Sequence, residues 1–250
     1  MTNAIREQTR ERSQRGYNRI SFCYRTLEQL VFGTQLQQAR VALIDALPSW
    51  DRMLILGDGD GRLLEAILKH RSSRIDTPCH VKPPCLVASV DQSERMLMRQ
   101  RQRIEALNLA DHVQWIHADA LAFLPDRHAF DVIVMPFFLD CFDATELERG
   151  LPQWLDGLKR DGTLYYVDFV IPAAGWKRRR AQILSAAMHF FFCITTGLKN
   201  RKLIDVVPNL QRNGLQQVAS TLHSHDMIAT SFFQLRKQSG AKQSSLSLFD

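Results

Sequence analysis

Three glycines at alternate positions, in the run Gly57-Asp58-Gly59-Asp60-Gly61, stand between a short apolar stretch and a segment of helical periodicity. The stretch before them, Arg52 to Leu56, is short and almost wholly apolar, and reads as a strand buried on both faces. The segment after them, from about Arg62 to His70, reads as a helix. A strand that turns through glycines into a helix is the building unit of an open parallel α/β sheet. The glycines allow a tight turn and let the backbone approach a ligand with no Cβ in the way. Such a loop alone is a weak signal, so its meaning depends on the elements downstream of it.

Downstream, strands and helices alternate regularly. Cys85 to Val90 reads as a buried strand ending at Asp91, with a helix from Ser93 to about Leu107. Val113 to His117 is a third strand ending near Asp119, and Asp131 to Met135 a fourth. Thr145 to Leu158 has helical spacing, and Leu164 to Phe169 is a strand after the Asp161-Gly162 turn. The pattern predicts an α/β fold with a mostly parallel sheet and helices on both faces. Before it, residues 1–48 form an N-terminal helical segment, divided near Gly33-Thr34 and ended by Pro48. Residues 71–84 carry three prolines and read as an extended loop. Ala181 to Leu198 is an apolar helical stretch, Val206 to Gly214 a polar helix, and Ile228 to Arg236 a final strand. Residues 238–250 are rich in Ser, Gln and Lys and read as a disordered tail.

Composition narrows the classes. The net charge of +6 permits a polyanionic partner, yet the excess is clustered in runs such as Lys177 to Arg180, which usually face solvent. No nucleic-acid partner is expected. Five scattered cysteines point to a reducing compartment. Cys79, His80 and Cys85 lack a second ligand pair at finger spacing, so no metal is expected. With no apolar leader and no long uncharged apolar stretch, the expectation is a cytoplasmic protein.

Ligands of such sheets bind outside the carboxyl ends of the strands, where Gly57 to Gly61, Asp91, Asp119 and Met135 to Asp140 would gather. Asp91 can accept from both hydroxyls of a ribose, with Gln92 beside it. Asp119 can accept from an adenine amino group, with Ala120 beside it, and Met96 can pack on the base. The alternatives are a helix N-cap for either aspartate and plain core packing for Met96. Thirty positions separate Gly61 from Asp91, against about 20 in the dinucleotide fingerprint; the proline-rich loop accounts for the excess.

These residues resemble the motifs of class I S-adenosylmethionine-dependent methyltransferases. Met53 to Arg62 is similar to their first motif and Val90 to Leu97 to their second, while His117 to Ala120 and Phe130 to Val134 match the next two. The resemblance implies a Rossmann-like, seven-stranded sheet over 49–237, with a helical cap at about 173–205. It also implies S-adenosylmethionine as cofactor and a small-molecule methyl acceptor. Tyr17 to Ile20, Tyr24 and the apolar segment after the fifth strand resemble the ubiquinone/menaquinone-biosynthesis branch. An acidic residue usually stands two places before the first glycine to hold the methionine ammonium. Ile55 stands there instead, which leaves Asp58 or Asp60 to supply the carboxylate.

Methyl transfer then needs alignment and exclusion of water more than acid–base help. Asp140 is the candidate base or acceptor-orienting group, with capping of the next helix as the alternative. Tyr24 and His189 are weaker candidates. Phe137, Phe138, Trp176 and Phe190 to Phe192 suggest either a hydrophobic acceptor pocket or core. With Lys177 to Arg180, this segment is also suited to peripheral contact with an anionic membrane. An aminopropyltransferase-like enzyme and a non-catalytic cofactor-binding scaffold are the competing readings.

Overall fold

The computed structural model describes residues 34–73, 86–172, 174–176, 178–180 and 204–236. Tyr24, His189, Phe190 to Phe192, the proline-rich loop, most of the expected cap and the tail lie outside them.

Seven strands form one sheet: β1 (Arg52–Leu56), β2 (Leu86–Asp91), β3 (Val113–His117), β4 (Phe130–Pro136), β5 (Leu158–Phe169), β6 (Leu215–His223) and β7 (Ile228–Leu235). Their order is β3-β2-β1-β4-β5-β7-β6. The first five pair in parallel, and β7 runs antiparallel between β5 and β6. The order reverses between β1 and β4, which is where an open α/β sheet leaves a crevice at its carboxyl edge. The closing antiparallel hairpin departs from the 3-2-1-4-5-6 order of the dinucleotide fold.

Strand side chains alternate between two cores. Met53, Ile55, Val87, Val132, Val134, Tyr165 and Phe232 face one side with α1 (Gln35–Val41) and α2 (Arg62–Ser73). Leu54, Leu56, Val90, Ile133, Met135, Tyr166 and Phe233 face the other, with α4 (Ala144–Leu155) and α5 (Val207–Arg212). Between these pairs in sequence, α3 (Glu94–Glu105) leads from β2 to β3 and sends Ile104 into the first core. Each strand therefore needs apolar residues at successive positions, which is why the strands read as unbroken runs.

Two elements differ from expectation. β5 begins at Leu158 rather than Leu164, because the Asp161-Gly162 turn is an irregularity inside the strand; Phe130 pairs with Leu158 and Val132 with Thr163. β6 is a strand that the residue pattern conceals. It is the sheet edge, only Leu215 in it is buried, and the pairing shifts between Gln217 and Ala219, so its period-two signal breaks midway.

Among the described residues no helix is long and apolar enough to cross a membrane. α1 is fastened to the sheet by buried side chains. The Tyr165 hydroxyl donates to the Arg40 carbonyl at 2.7 Å and accepts from the Leu43 N–H at 3.3 Å, and the Thr230 hydroxyl donates to the Ala39 carbonyl at 2.6 Å. Tyr165→Phe leaves that carbonyl and that N–H without their partner, so it should lower unfolding free energy by about 1–3 kcal/mol in a urea titration.

Candidate active site

The carboxyl ends of the central strands meet at the glycine turn. Gly57 lies at φ +72°, and a Cβ there would come within 2.7 Å of Phe138 Cδ2, so only glycine allows this approach. Gly59, at φ +63°, has no atom of the described residues within 4 Å of its would-be Cβ, so among them it faces open space at the mouth of the crevice. The turn is held from behind. Gly57 N–H donates to the Val90 carbonyl at 2.9 Å. The buried Gln100 amide donates to the Gly59 carbonyl at 2.8 Å and accepts from the Ser89 hydroxyl at 2.6 Å. Arg103 donates to the Asp60 carbonyl at 3.0 Å and bridges to Glu65 at 2.8 Å.

The two loop carboxylates have different fates. Asp60 pairs with Arg62 at 2.9 Å and Arg103 at 3.5 Å. Asp58 turns inward, and its Oδ2 accepts from the Leu64 N–H at 2.9 Å, capping the start of α2. Its Oδ1 is buried without a hydrogen-bond partner among the described residues. Burial drives the Asp58 pKa up to about 7, against the opposing pull of the Leu64 N–H and of Arg40.

Asp91 closes β2, and its Oδ1 accepts from the Ser93 N–H at 2.8 Å. The Gly59 N–H also bonds to this carboxyl, which puts it beside the open glycine. Burial raises its pKa to about 6. The N-cap of α3 is Ser93, not Asp91. Gln92 offers its carbonyl to His117 Nε2 at 3.1 Å, and Met96 is half-buried in the first turn of α3. Asp119 Oδ1 accepts from the Leu121 N–H at 2.9 Å in a local turn, and the Ala120 carbonyl accepts from Trp154 Nε1 at 2.8 Å. Met135 is fully buried within β4 and offers no exposed side-chain surface to a ligand.

Asp140 lies in a 3-10 turn after β4, and α4 is capped by a reciprocal Asp143–Glu146 box, so Asp140 is not the helix cap. Next to it is a residue that periodicity and motif spacing do not single out. Asp168, buried near the end of β5, accepts from the Asp140 N–H at 3.2 Å through Oδ2 and from the Phe169 N–H at 2.8 Å through Oδ1. Burial, then the negative charge of Asp140, hold its pKa well above the carboxylate range. Its one signal is an acidic residue inside the apolar run Val167-Asp168-Phe169. Gln100 and Arg103 are equally hard to single out, since polar helix residues read as solvated.

The aromatic residues after β4 belong to the cores. Phe137 packs on Phe169 and Phe138 on Phe142 and Trp154, while Trp176 is 61% exposed beside His225. Phe137 is a non-glycine residue at φ +51°, an uncommon conformation found at turns and functional sites.

Residues 53–162 match the Methyltransferase domain family. The chain is 25% identical over 155 residues to the ubiquinone/menaquinone biosynthesis C-methyltransferase UbiE of Cereibacter sphaeroides, covering 61% of this chain and 57% of that protein. The chain thus spans little more than half the length of the curated relatives it matches. Among solved structures it resembles the pyocyanin biosynthetic protein PhzM, with TM-score 0.61 and 16% identity over 88% of this chain and 61% of that one. It also resembles CalO1, a methyltransferase in calicheamicin biosynthesis in its SAH-bound form, with TM-score 0.59 and 17% identity over 85% and 56%. The fold is that of these class I methyltransferases.

The buried Asp58 carboxyl makes a checkable statement about stability. Its folded pKa of about 7 exceeds the unfolded 3.8, so its contribution is present in full below pH 4 and is lost as pH rises through 7. Asp58→Asn cannot ionise. Between pH 5 and pH 8 the parent should lose about 1–3 kcal/mol relative to this variant in paired urea titrations.

Proposed function

We propose that this chain, with its methyltransferase domain and class I fold, transfers the methyl group of S-adenosylmethionine to a small hydrophobic acceptor, quinone-like or lipid-like. The observation that carries the reading is the open face of Gly59 beside the Asp91 carboxyl, at the point where the strand order reverses. Asp91 would receive the ribose hydroxyls, Asp119 the adenine amino group, Met96 the face of the base, and the backbone of Gly57 to Gly61 the methionine portion. Asp60 is already engaged by two arginines, so the carboxylate best suited to the methionine ammonium is Asp58, whose Oδ1 has no protein partner among the described residues.

The cofactor supplies an already activated methyl, whose bond to sulfur breaks as the bond to the acceptor forms. The protein aligns the two and keeps water away. Asp140, whose N–H donates to the buried Asp168, would orient the acceptor or take its proton. The acceptor class is supported by the likeness to UbiE. Exposed Trp176, Arg178 and Arg179 support contact with an anionic bilayer, where such acceptors reside. A second reading, a cofactor-binding scaffold without turnover, is favoured by the buried Ile55 in place of the usual acid.

These roles are open to measurement. Ribose hydroxyls donate to the ionised Asp91, so protonation competes with binding, and S-adenosylhomocysteine affinity should fall as pH drops through about 6. Asp91→Asn should abolish that limb and weaken binding by about 1–3 kcal/mol in calorimetry; an unchanged profile would remove Asp91 from the site. Incubation with methyl-labelled cofactor, cell extract and anionic vesicles should send label into the organic-soluble fraction and the protein into the vesicle pellet. Label confined to polar metabolites would refute the hydrophobic acceptor, and no transferred label would favour the scaffold.

A further inference from the structure

Gln100 stands where α3 would be expected to bury an apolar side chain. It shares the inward stripe of the helix with Leu97 and Ile104, and in the polar run 99–103 it alone is fully buried. Burying an amide without partners is costly, and both ends of this one are bonded. Nε2 donates to the Gly59 carbonyl at 2.8 Å, and Oε1 accepts from the Ser89 hydroxyl at 2.6 Å. A carbonyl can only accept, so Gly59 decides which end of the amide it meets, and Ser89, buried within β2, donates to the other. The helix itself lies against the turn: a Cβ on Gly61 would come to 3.0 Å from Gln100 Cα. Further along α3, Arg103 Nε donates to the Asp60 carbonyl at 3.0 Å. The helix therefore grips residues 59, 60 and 61 in succession.

We propose that Gln100 is a positioning residue for the methionine portion of the cofactor: steered by Ser89, it fixes the peptide between Gly59 and Asp60 and so sets the affinity for that part of the ligand without touching it. The inference rests on the reading of the glycine turn as the place where the methionine portion lies. A trans peptide carries its C=O and N–H on opposite sides, so drawing the Gly59 carbonyl to α3 turns the Asp60 N–H away from α3. Glycines at positive φ on both sides of this peptide leave it free to rotate the other way. The bond to Gln100 removes that freedom before any ligand arrives, which lowers the ordering cost of binding. The adenosine portion would meet Asp91 and Asp119, at the ends of β2 and β3, and so does not depend on this bond.

The test is calorimetric affinity of the full chain for two ligands, S-adenosylhomocysteine and methylthioadenosine, which keeps the adenosine and the sulfur but lacks the amino-acid end. A urea titration shows that each variant is folded. Gln100→Met keeps the size of the side chain and leaves the Gly59 carbonyl without its donor. It should bind S-adenosylhomocysteine about tenfold more weakly and methylthioadenosine within about threefold of the parent. Ser89→Ala removes the steering group and should weaken S-adenosylhomocysteine by about threefold; added to Gln100→Met it should cost almost nothing more, because its effect passes through Gln100. A folded Gln100→Met variant with parental S-adenosylhomocysteine affinity would overturn the proposal. So would equal losses for the two ligands, since a purely structural role would produce them. Should Gln100→Met fail to fold, Ser89→Ala decides: a loss confined to S-adenosylhomocysteine supports the proposal, and parental affinity or equal losses overturn it. Absence of S-adenosylhomocysteine binding by the parent would instead strike the cofactor reading itself.

Discussion

The glycine turn after β1 keeps its shape because it is bonded from behind. Its three glycines lie at positive φ, and at Gly59 no atom of the described residues comes within 4 Å of a would-be Cβ. The holding groups come from neighbouring elements: the Val90 carbonyl of β2, the Gln100 amide of α3 and the Arg103 guanidinium. Gln100 is fully buried, and its two bonds to Gly59 and Ser89 answer the desolvation of its amide. The β2–α3 unit thus does two things at once. It ends in the carboxylate that flanks the cleft, and it supplies the clamp that keeps the opposite wall in place.

Electrostatics set a second constraint. Asp58 and Asp168 are buried carboxyls with raised pKa values, each fixed by backbone N–H groups behind a strand-end turn. Asp91, at about 6, lies close enough to neutrality to change its ionisation when a ligand arrives.

Much of this was legible in the residue pattern. The central strands announced themselves because a parallel strand covered on both faces must be apolar throughout. β3 has the expected bounds, and β1 the same five residues. Glycine at positions 57 and 59 was readable because both turns need positive φ, and at 57 a Cβ would also meet Phe138. β6 was not readable, since an edge strand with one buried residue and a mid-strand shift has no period to detect. Nor was the Asp143 cap separable from Asp140 by spacing alone, as both precede the same helix.

The sequence by itself determined the strand–glycine–helix unit, the alternation of strands and helices after it and the acids that end β2 and β3, because local periodicity and backbone sterics are written in neighbouring residues. Which acid does what was decided only by the tertiary structure. Asp58 and Asp60 are two positions apart, yet one is buried under α2 and the other is paired with two arginines. Asp168 meets Asp140, and Arg40 meets Phe137, across long stretches of chain. Burial and partner charge fix the protonation of a carboxyl, and both depend on what folding brings alongside it.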